Sequence, residues 1–311
     1  MDTSVFPFYP RPRTPFLFDT KIVEIIIICL VTATTFIIIF PGIRGKLRTF
    51  WLLRVLTSLF IGTVILAVNF TRDWEVGSVN TKTVYKSFTH AMVNASIGLW
   101  IGLKGVNITL AGHPLHQLNE TINYNEKFAW ESRTQYDKDY QEGLEKGLPN
   151  PILYVAEKFY SENPCRLHQQ YCVSTYYSSA LMWSAFCSWI LSNVLFLIPV
   201  PLYGICMMFV TAVCITVSLI SYATVRHTPA CNIHFGGSVL HMRFGLSFWL
   251  SFATGLLCLS ISILLLTLHI LKPHILLRIL NCKDNEEERN KSDPESSHLD
   301  DDKTDAVSEM L

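Results

Sequence analysis

Five apolar runs of membrane-spanning length, unevenly spaced, constrain this chain more than any other feature. They fall at about 22–41, 50–70, 176–198, 202–224 and 244–271. A helix rises about 1.5 Å per residue, so roughly 20 apolar residues cross a ~30 Å hydrocarbon layer. A soluble protein would break such runs with charges on a helical period. Here half of the 311 residues are hydrophobic and only 16% are charged. The sequence therefore predicts an integral membrane protein, mainly α, with five transmembrane helices. Formal net charge is zero, which leaves no electrostatic footprint for nucleic acid.

Charge and turn residues orient the spans. Pro41-Gly42 ends the first, and the loop at 42–49 carries Arg44, Lys46 and Arg48. Three basic residues in one short loop mark the cytoplasmic side, so residues 1–21 form an extracellular arm. Lys272, Arg278 and Lys283 follow the fifth span, and five crossings bring the C-terminus to the cytoplasm. The tail at 272–311 is acidic and reads as disordered. Residues 1–20 lack the pattern of a signal peptide. Pro199-Val200-Pro201 joins the third and fourth spans as an antiparallel hairpin. Small residues recur every four positions at Ala180, Ser184, Ser188 and Ser192, and again at Ser247, Ser251 and Gly255; such stripes let helices approach closely in lipid. Arg54, about one turn into the second span, reads as snorkelling to the interface or as one half of an interhelical ion pair.

Residues 71–175 form a polar extracellular segment between spans two and three. Ile97, Leu99, Ile101 and Leu103 alternate with Gly98, Trp100 and Gly102. After Lys104-Gly105, Val106, Ile108 and Leu110 alternate with Asn107 and Thr109, which is a β-hairpin signal. Trp74, Val76 and Tyr85 suggest earlier strands. From about 125 to 146 the pattern turns helical, with Phe128, Tyr136, Tyr140 and Leu144 on one face and Glu142 able to pair with Lys146. A second helix follows, capped by Asn150, with Pro151 in its first turn and a stripe of Ile152, Val155 and Phe159. The segment is thus a mixed α/β domain, strands first. Sequons at Asn94, Asn107 and Asn119 make it a candidate glycoprotein domain. Asn69-Phe70-Thr71 abuts the second span, and Asn290 falls in the cytosolic tail.

Of nine cysteines, Cys29, Cys187, Cys206, Cys214 and Cys258 lie in the apolar runs and read as small buried hydrophobes. Cys165, before span three, and Cys231, in the second extracellular loop at 225–243, share the outer side, where a disulfide between them would clamp the two outer segments. Cys172 is the rival partner or a free thiol, and a bond to another protein is the third option. His113 and His116 flank a Gly112/Pro114 loop with no third ligand near. The spans hold no central histidines for haem, and there is no phosphate loop, dinucleotide fingerprint or nucleophile elbow. No cofactor, metal or catalytic set is expected. Phe6-Pro7-Phe8-Tyr9, in a proline-rich extended segment, reads as a disordered terminus or as an arm that packs aromatics onto a partner.

Several strings resemble the dual oxidase maturation factor family. They are Phe6-Pro7-Phe8-Tyr9, Phe40-Pro41-Gly42-Ile43-Arg44-Gly45-Lys46, Phe50-Trp51-Leu52-Leu53-Arg54-Val55, Gly105-Val106-Asn107-Ile108-Thr109-Leu110, His116-Gln117-Leu118-Asn119-Glu120-Thr121-Ile122-Asn123-Tyr124-Asn125-Glu126 and Leu144-Glu145-Lys146-Gly147-Leu148-Pro149. The resemblance covers nearly the whole chain apart from the acidic tail. It implies a non-enzymatic five-span partner that lets dual oxidase leave the endoplasmic reticulum, mature, and release hydrogen peroxide at the plasma membrane. The oxidase would bring the haem, flavin and NADPH sites. By position, Asn107 and Asn119 would carry family glycans. The usual sequon near Asn80 is missing, since Thr81-Lys82 follows, and Asn94 lies in a sequon foreign to the family pattern. Cys165 and Cys231 match the family's outer cysteines; Cys172 is extra. Trp74 followed by Gly98-Leu99-Trp100 also resembles the claudin outer-loop signature without its cysteine pair. That likeness implies claudin-like strands on a four-helix unit, and, as the alternative function, an adhesion or channel-modulating protein.

Overall fold

The structure is a computed structural model that describes residues 20–39, 48–87, 89–130, 133–160, 167–198, 200–224 and 233–272. In chain order its elements are α1 (Thr20–Ile39), α2 (Arg48–Val68), β1 (Glu75–Val84), β2 (Met92–Ile101), β3 (Gly105–Gln117), β4 (Glu120–Ala129), α3 (Arg133–Glu145), α4 (Asn150–Lys158), α5 (Leu167–Leu195), α6 (Pro201–Ala223), β5 (His234–Phe235), β6 (Ser238–Val239), β7 (Met242–Phe244) and α7 (Leu246–Leu271). Five helices (α1, α2, α5, α6 and α7) are long and apolar enough to cross a membrane. With a sheet-bearing domain at one end, this is the build of a multi-pass membrane protein.

Four of these helices share a core of Ile61, Ile65, Met182, Ala185, Ala212, Ile215 and Cys258. Polar side chains fasten it through backbone carbonyls, the available acceptors where water is scarce. Ser178 Oγ donates to Ser218 O at 3.0 Å and Ser218 Oγ returns to Ser178 O at 2.9 Å. Ser192 Oγ donates to Gly204 O at 2.8 Å, and Ser262 Oγ to Ile205 O at 3.2 Å. The α7 stripe of Ser247, Ser251 and Gly255 does face the bundle, and a Cβ on Gly255 would meet Ile215 Cγ2 at 3.1 Å. The α5 stripe is corrected: Ala180 and Ser184 are exposed, and the buried small residues are Ser174, Ser178, Ala185 and Ser192. A repeat of four drifts about 40° per step around a helix, whereas the seven-residue steps from 178 to 185 to 192 stay on the seam of a left-handed crossing.

α1 runs antiparallel to α2 and has no buried residue. Thr63 Oγ1 donates to Cys29 Sγ at 2.9 Å, and Lys21 Nζ lies 5.7 Å from the centre of the Phe70 ring. Arg54 places its guanidinium 5.3 Å from the Phe196 ring centre, a cation–π contact in addition to whatever reach it has to the interface.

Beyond the bundle stands one antiparallel sheet of order β4-β3-β2-β1-β7. The predicted hairpin is present in register, with Ile101 opposite Val106, Leu99 opposite Ile108 and Ile97 opposite Leu110. These residues face α3, α4 and the first turns of α5, closing a core that includes Phe128, Trp130, Tyr136, Ile152, Val155, Phe159 and Tyr171. The helix expected from 125 is instead strand β4 up to Ala129, and α3 starts at Arg133. Phe128, eight residues before Tyr136, mimicked a helical stripe; the two rings do meet, 5.8 Å apart, but across a strand–helix boundary. Leu144, assigned to the buried stripe, is 48% exposed. Asn150 is not a cap: Pro149 holds that position, and the Asn150 amide oxygen accepts from Ser87 Oγ at 2.5 Å. Glu142 and Lys146 pair at 2.6 Å as expected. The helix that carries the third span, α5, begins at Leu167, nine residues before the expected start of the span, and its first turns belong to the domain core. The segment read as a loop at 225–243 contributes β5, β6 and the edge strand β7, whose Met242 and Arg243 lie opposite Gly77 and Val76.

Candidate functional site

Buried contacts join the sheet domain to the bundle. Trp74 is fully buried where α2 passes into β1. Its Nε1 donates to Val68 O, a carbonyl in the last turn of α2, at 2.8 Å, and its ring lies 5.0 Å from Tyr222 and 6.4 Å from Phe248. Gly245 N donates to Trp74 O at 2.8 Å. The Ser247 hydroxyl, at the start of α7, donates to the Asp73 carboxylate and lies 2.6 Å from Thr71 Oγ1. Glu75 is 2% exposed and accepts from Tyr171 Oη at 2.8 Å. Four chain segments thus converge on residues 71–75. Buried polar groups persist only where such partners exist.

A second polar cluster ties the far end of β1 to β4. Tyr85 Oη donates to Glu120 Oε2 at 3.0 Å and lies 2.8 Å from Tyr124 Oη, while Lys86 reaches the same carboxylate at 2.9 and 3.0 Å. Burial first, then the Tyr124 and Glu120 contacts, push the Tyr85 hydroxyl far above its ordinary 10.0. Tyr136, fully buried and donating to Ala156 O at 2.8 Å, is raised chiefly by burial. Both phenols hold their protons more tightly folded than unfolded. Their contribution is therefore complete below the unfolded value of 10.0 and is lost as pH climbs above it. Thermal unfolding in detergent should lose stability between about pH 9 and about pH 11, and Tyr85→Phe should blunt the loss; a flat profile would contradict this assignment.

The sequons occupy distinct places. Asn94 on β2 is exposed, and Asn107 on β3 is half-buried on the same open face of the sheet. Asn119 is exposed in the β3–β4 turn at φ +61°. Asn69 is fully buried, its Nδ2 donating to Ile65 O at 3.1 Å and its Oδ1 accepting from Ser179 Oγ at 3.2 Å; the folded chain has no room for a glycan there. Phe6, Pro7, Phe8 and Tyr9 lie outside the described residues, as do Cys165 and Cys231. Cys172 Sγ lies 3.8 Å from Trp130 O. His116 lies 3.1 Å from Thr121 Oγ1 through Nδ1, and among the described residues no three His, Cys, Asp or Glu side chains gather as metal ligands.

Sequence reasoning missed one surface. A cleft of about 470 Å³ lies where α3, α4 and the β5–β6 hairpin meet, lined by Tyr140, Leu144, Tyr154, Glu157, His234 and Phe235 among others. Tyr154 and Phe235 stack edge to face at 5.4 Å. Its lining is mixed, with the Tyr140, Tyr154 and Phe235 rings beside polar Thr83, Ser87, Asn150 and Glu157. Leu144, placed with Tyr136 and Tyr140 on one helix face by spacing, is exposed at this cleft.

The chain matches the model of the dual oxidase maturation factor family over residues 8–284. It is 66% identical over 298 residues to a dual oxidase maturation factor 1 of Xenopus tropicalis, spanning 96% of this chain and 97% of that protein. Against human dual oxidase maturation factor 1 it is 47% identical over 295 residues, spanning 94% and 86%. Against human dual oxidase maturation factor 2 it is 46% identical over 288 residues, spanning 92% and 90%.

Proposed function

Because this chain belongs to the dual oxidase maturation factor family, we propose that it works without catalysis of its own, as a membrane partner that carries dual oxidase out of the endoplasmic reticulum and stays with it where peroxide is made at the cell surface. The observation that carries this reading is the extent of the match, which takes in all five apolar helices and the whole sheet domain. The locked junction around Trp74 supports a domain that presents a rigid recognition surface to the oxidase. The sheet domain is then extracellular. In support, β1 leaves α2, β7 enters α7, and both join one sheet, while the basic residues Arg44 and Lys46 fall in the connection at the opposite end of α2. Leu167 and Ile233, each two residues after Cys165 and Cys231, belong to one domain core, which supports a disulfide between the two cysteines. The five-stranded sheet fed by both outer segments supports the claudin-like comparison.

Co-expression tests the reading. Dual oxidase is expected to reach the surface and release peroxide only with this chain present; equal peroxide without it would defeat the proposal and favour an adhesion role. Within the same assay, replacing Phe6, Phe8 and Tyr9 together by alanine should lower peroxide several-fold at unchanged expression. Full activity in that variant would remove the arm from the interface.

A further inference from the structure

The open face of the sheet carries one large exposed aromatic side chain, Trp100, among amide, hydroxyl and basic residues. Val76, Trp100, Asn107 and Lys127 form one row across four strands, and Ser78, Gly98, Thr109 and Asn125 form the next. Trp100 is 38% exposed, whereas Trp74 and Trp130 are buried. Directly opposed residues on an antiparallel pair hold their Cβ atoms within about 5.5 Å, so the indole of Trp100 adjoins the attachment residue of the Asn107-Ile108-Thr109 sequon. The indole leans over Gly98: a Cβ there would stand 3.2 Å from Trp100 Nε1 and would collide with the Thr109 hydroxyl.

We propose that Trp100 is the platform for a glycan linked to Asn107: the first sugars lie flat on the indole, which stands directly across from their attachment residue. This rests on the reading of Asn107 as a glycosylated residue. A pyranose ring has an apolar face of C–H groups, which fits an aromatic plane. An exposed tryptophan also suits a lipid headgroup layer, but here it stands directly across from the residue of a sequon. The consequence for assembly is direct. A glycan held down here covers this end of the open face, with the Asn94 sequon six residues farther along β2 on the same face, and leaves the helical side with its Tyr154–Phe235 cleft for the oxidase.

The test is glycan release by peptide N-glycosidase from the native full-length protein in detergent, read at Asn107 by glycopeptide mass spectrometry, with release from denatured protein as the reference. Trp100→Leu, which keeps apolar bulk without a flat face, is expected to speed native release about fivefold, the factor an aromatic stacking contact carries. Trp100→Tyr should keep the slow rate, which separates stacking from general disruption. Equal native rates in wild type and Trp100→Leu, or fast release in wild type matching the denatured reference, would overturn the platform. Loss of folding in Trp100→Leu together with fast release in folded Trp100→Tyr would overturn it too. An unoccupied Asn107 peptide in the wild type would instead defeat the glycosylation reading on which the platform stands.

Discussion

Trp74→Ala should destabilise the fold by about 3–5 kcal/mol, the range for emptying a fully buried aromatic site. The indole fills the junction between Tyr222 and Phe248 and satisfies the carbonyl of Val68. Its loss leaves a cavity where the sheet domain meets the bundle and removes one of two donors to the Val68 carbonyl, which Thr71 Oγ1 also reaches at 3.1 Å. Trp74→Phe restores much of the volume without the N–H and should cost about 1–2 kcal/mol. The measurement is the melting temperature of the monodisperse protein in detergent, followed by size-exclusion chromatography. Surface peroxide with co-expressed oxidase should fall with the amount of folded protein. A variant that melts with the wild type would show that the Trp74 contacts do not hold the domain to the bundle.

Gly245→Val is the second change expected to be severe. The backbone at Gly245 is extended, at φ −87° and ψ −175°, so any residue could adopt it; space forbids one. A Cβ would run into the Asp73 carbonyl oxygen, and beyond it the Val76 side chain lies 3.1 Å away. The nearest partners, the carbonyl oxygen and carbon of Asp73, are backbone and cannot rotate aside as a flexible side chain would. The Gly245 N–H is also committed to Trp74 O at 2.8 Å. Relief requires β7 to leave β1, which breaks the pairing of Glu75 with Phe244 and moves Ser247 off Asp73. A cost of about 3 kcal/mol or more, at the upper end of overpacking, is expected. Gly237→Ala is the control, since a Cβ at Gly237 meets nothing within 4 Å. Wild-type surface levels for Gly245→Val would mean that the approach of β7 to residue 73 is not needed for folding.

Some of this architecture was legible residue by residue. The β2–β3 hairpin announced itself through period-two alternation on both sides of a Gly-containing turn, and the α4 stripe through Ile152, Val155 and Phe159 at helical spacing. The misreadings have a common cause. Phe128 and Tyr136 do touch, so their spacing carried information, but spacing alone cannot say that a strand ends between them. Ala180 and Ser184 are as small as Ser178 and Ala185, and α5 carries enough serine and alanine for two stripes; the partner helix chose one. The candidate surface was legible in pieces. Asn107 and Trp100 were each visible, yet that one lies across from the other depends on the register that the Lys104-Gly105 turn imposes. The cleft was not visible, because Tyr154 and Phe235 come from segments with no shared pattern.

By itself the sequence determined that five helices are long and apolar enough to cross a membrane, that a strand-first domain is inserted between the second and third, and which family the chain resembles. Those signals are local: run length, alternation and short strings need no distant neighbour. Only the tertiary structure decided that residues 242–244 complete the sheet, that α5 extends into the domain, and that one junction joins four segments. These outcomes rest on contacts such as that of Ser247 with Asp73, 174 residues apart. Each such contact forms only when burial elsewhere brings the segments together and removes water from both groups, a condition that no window of sequence contains.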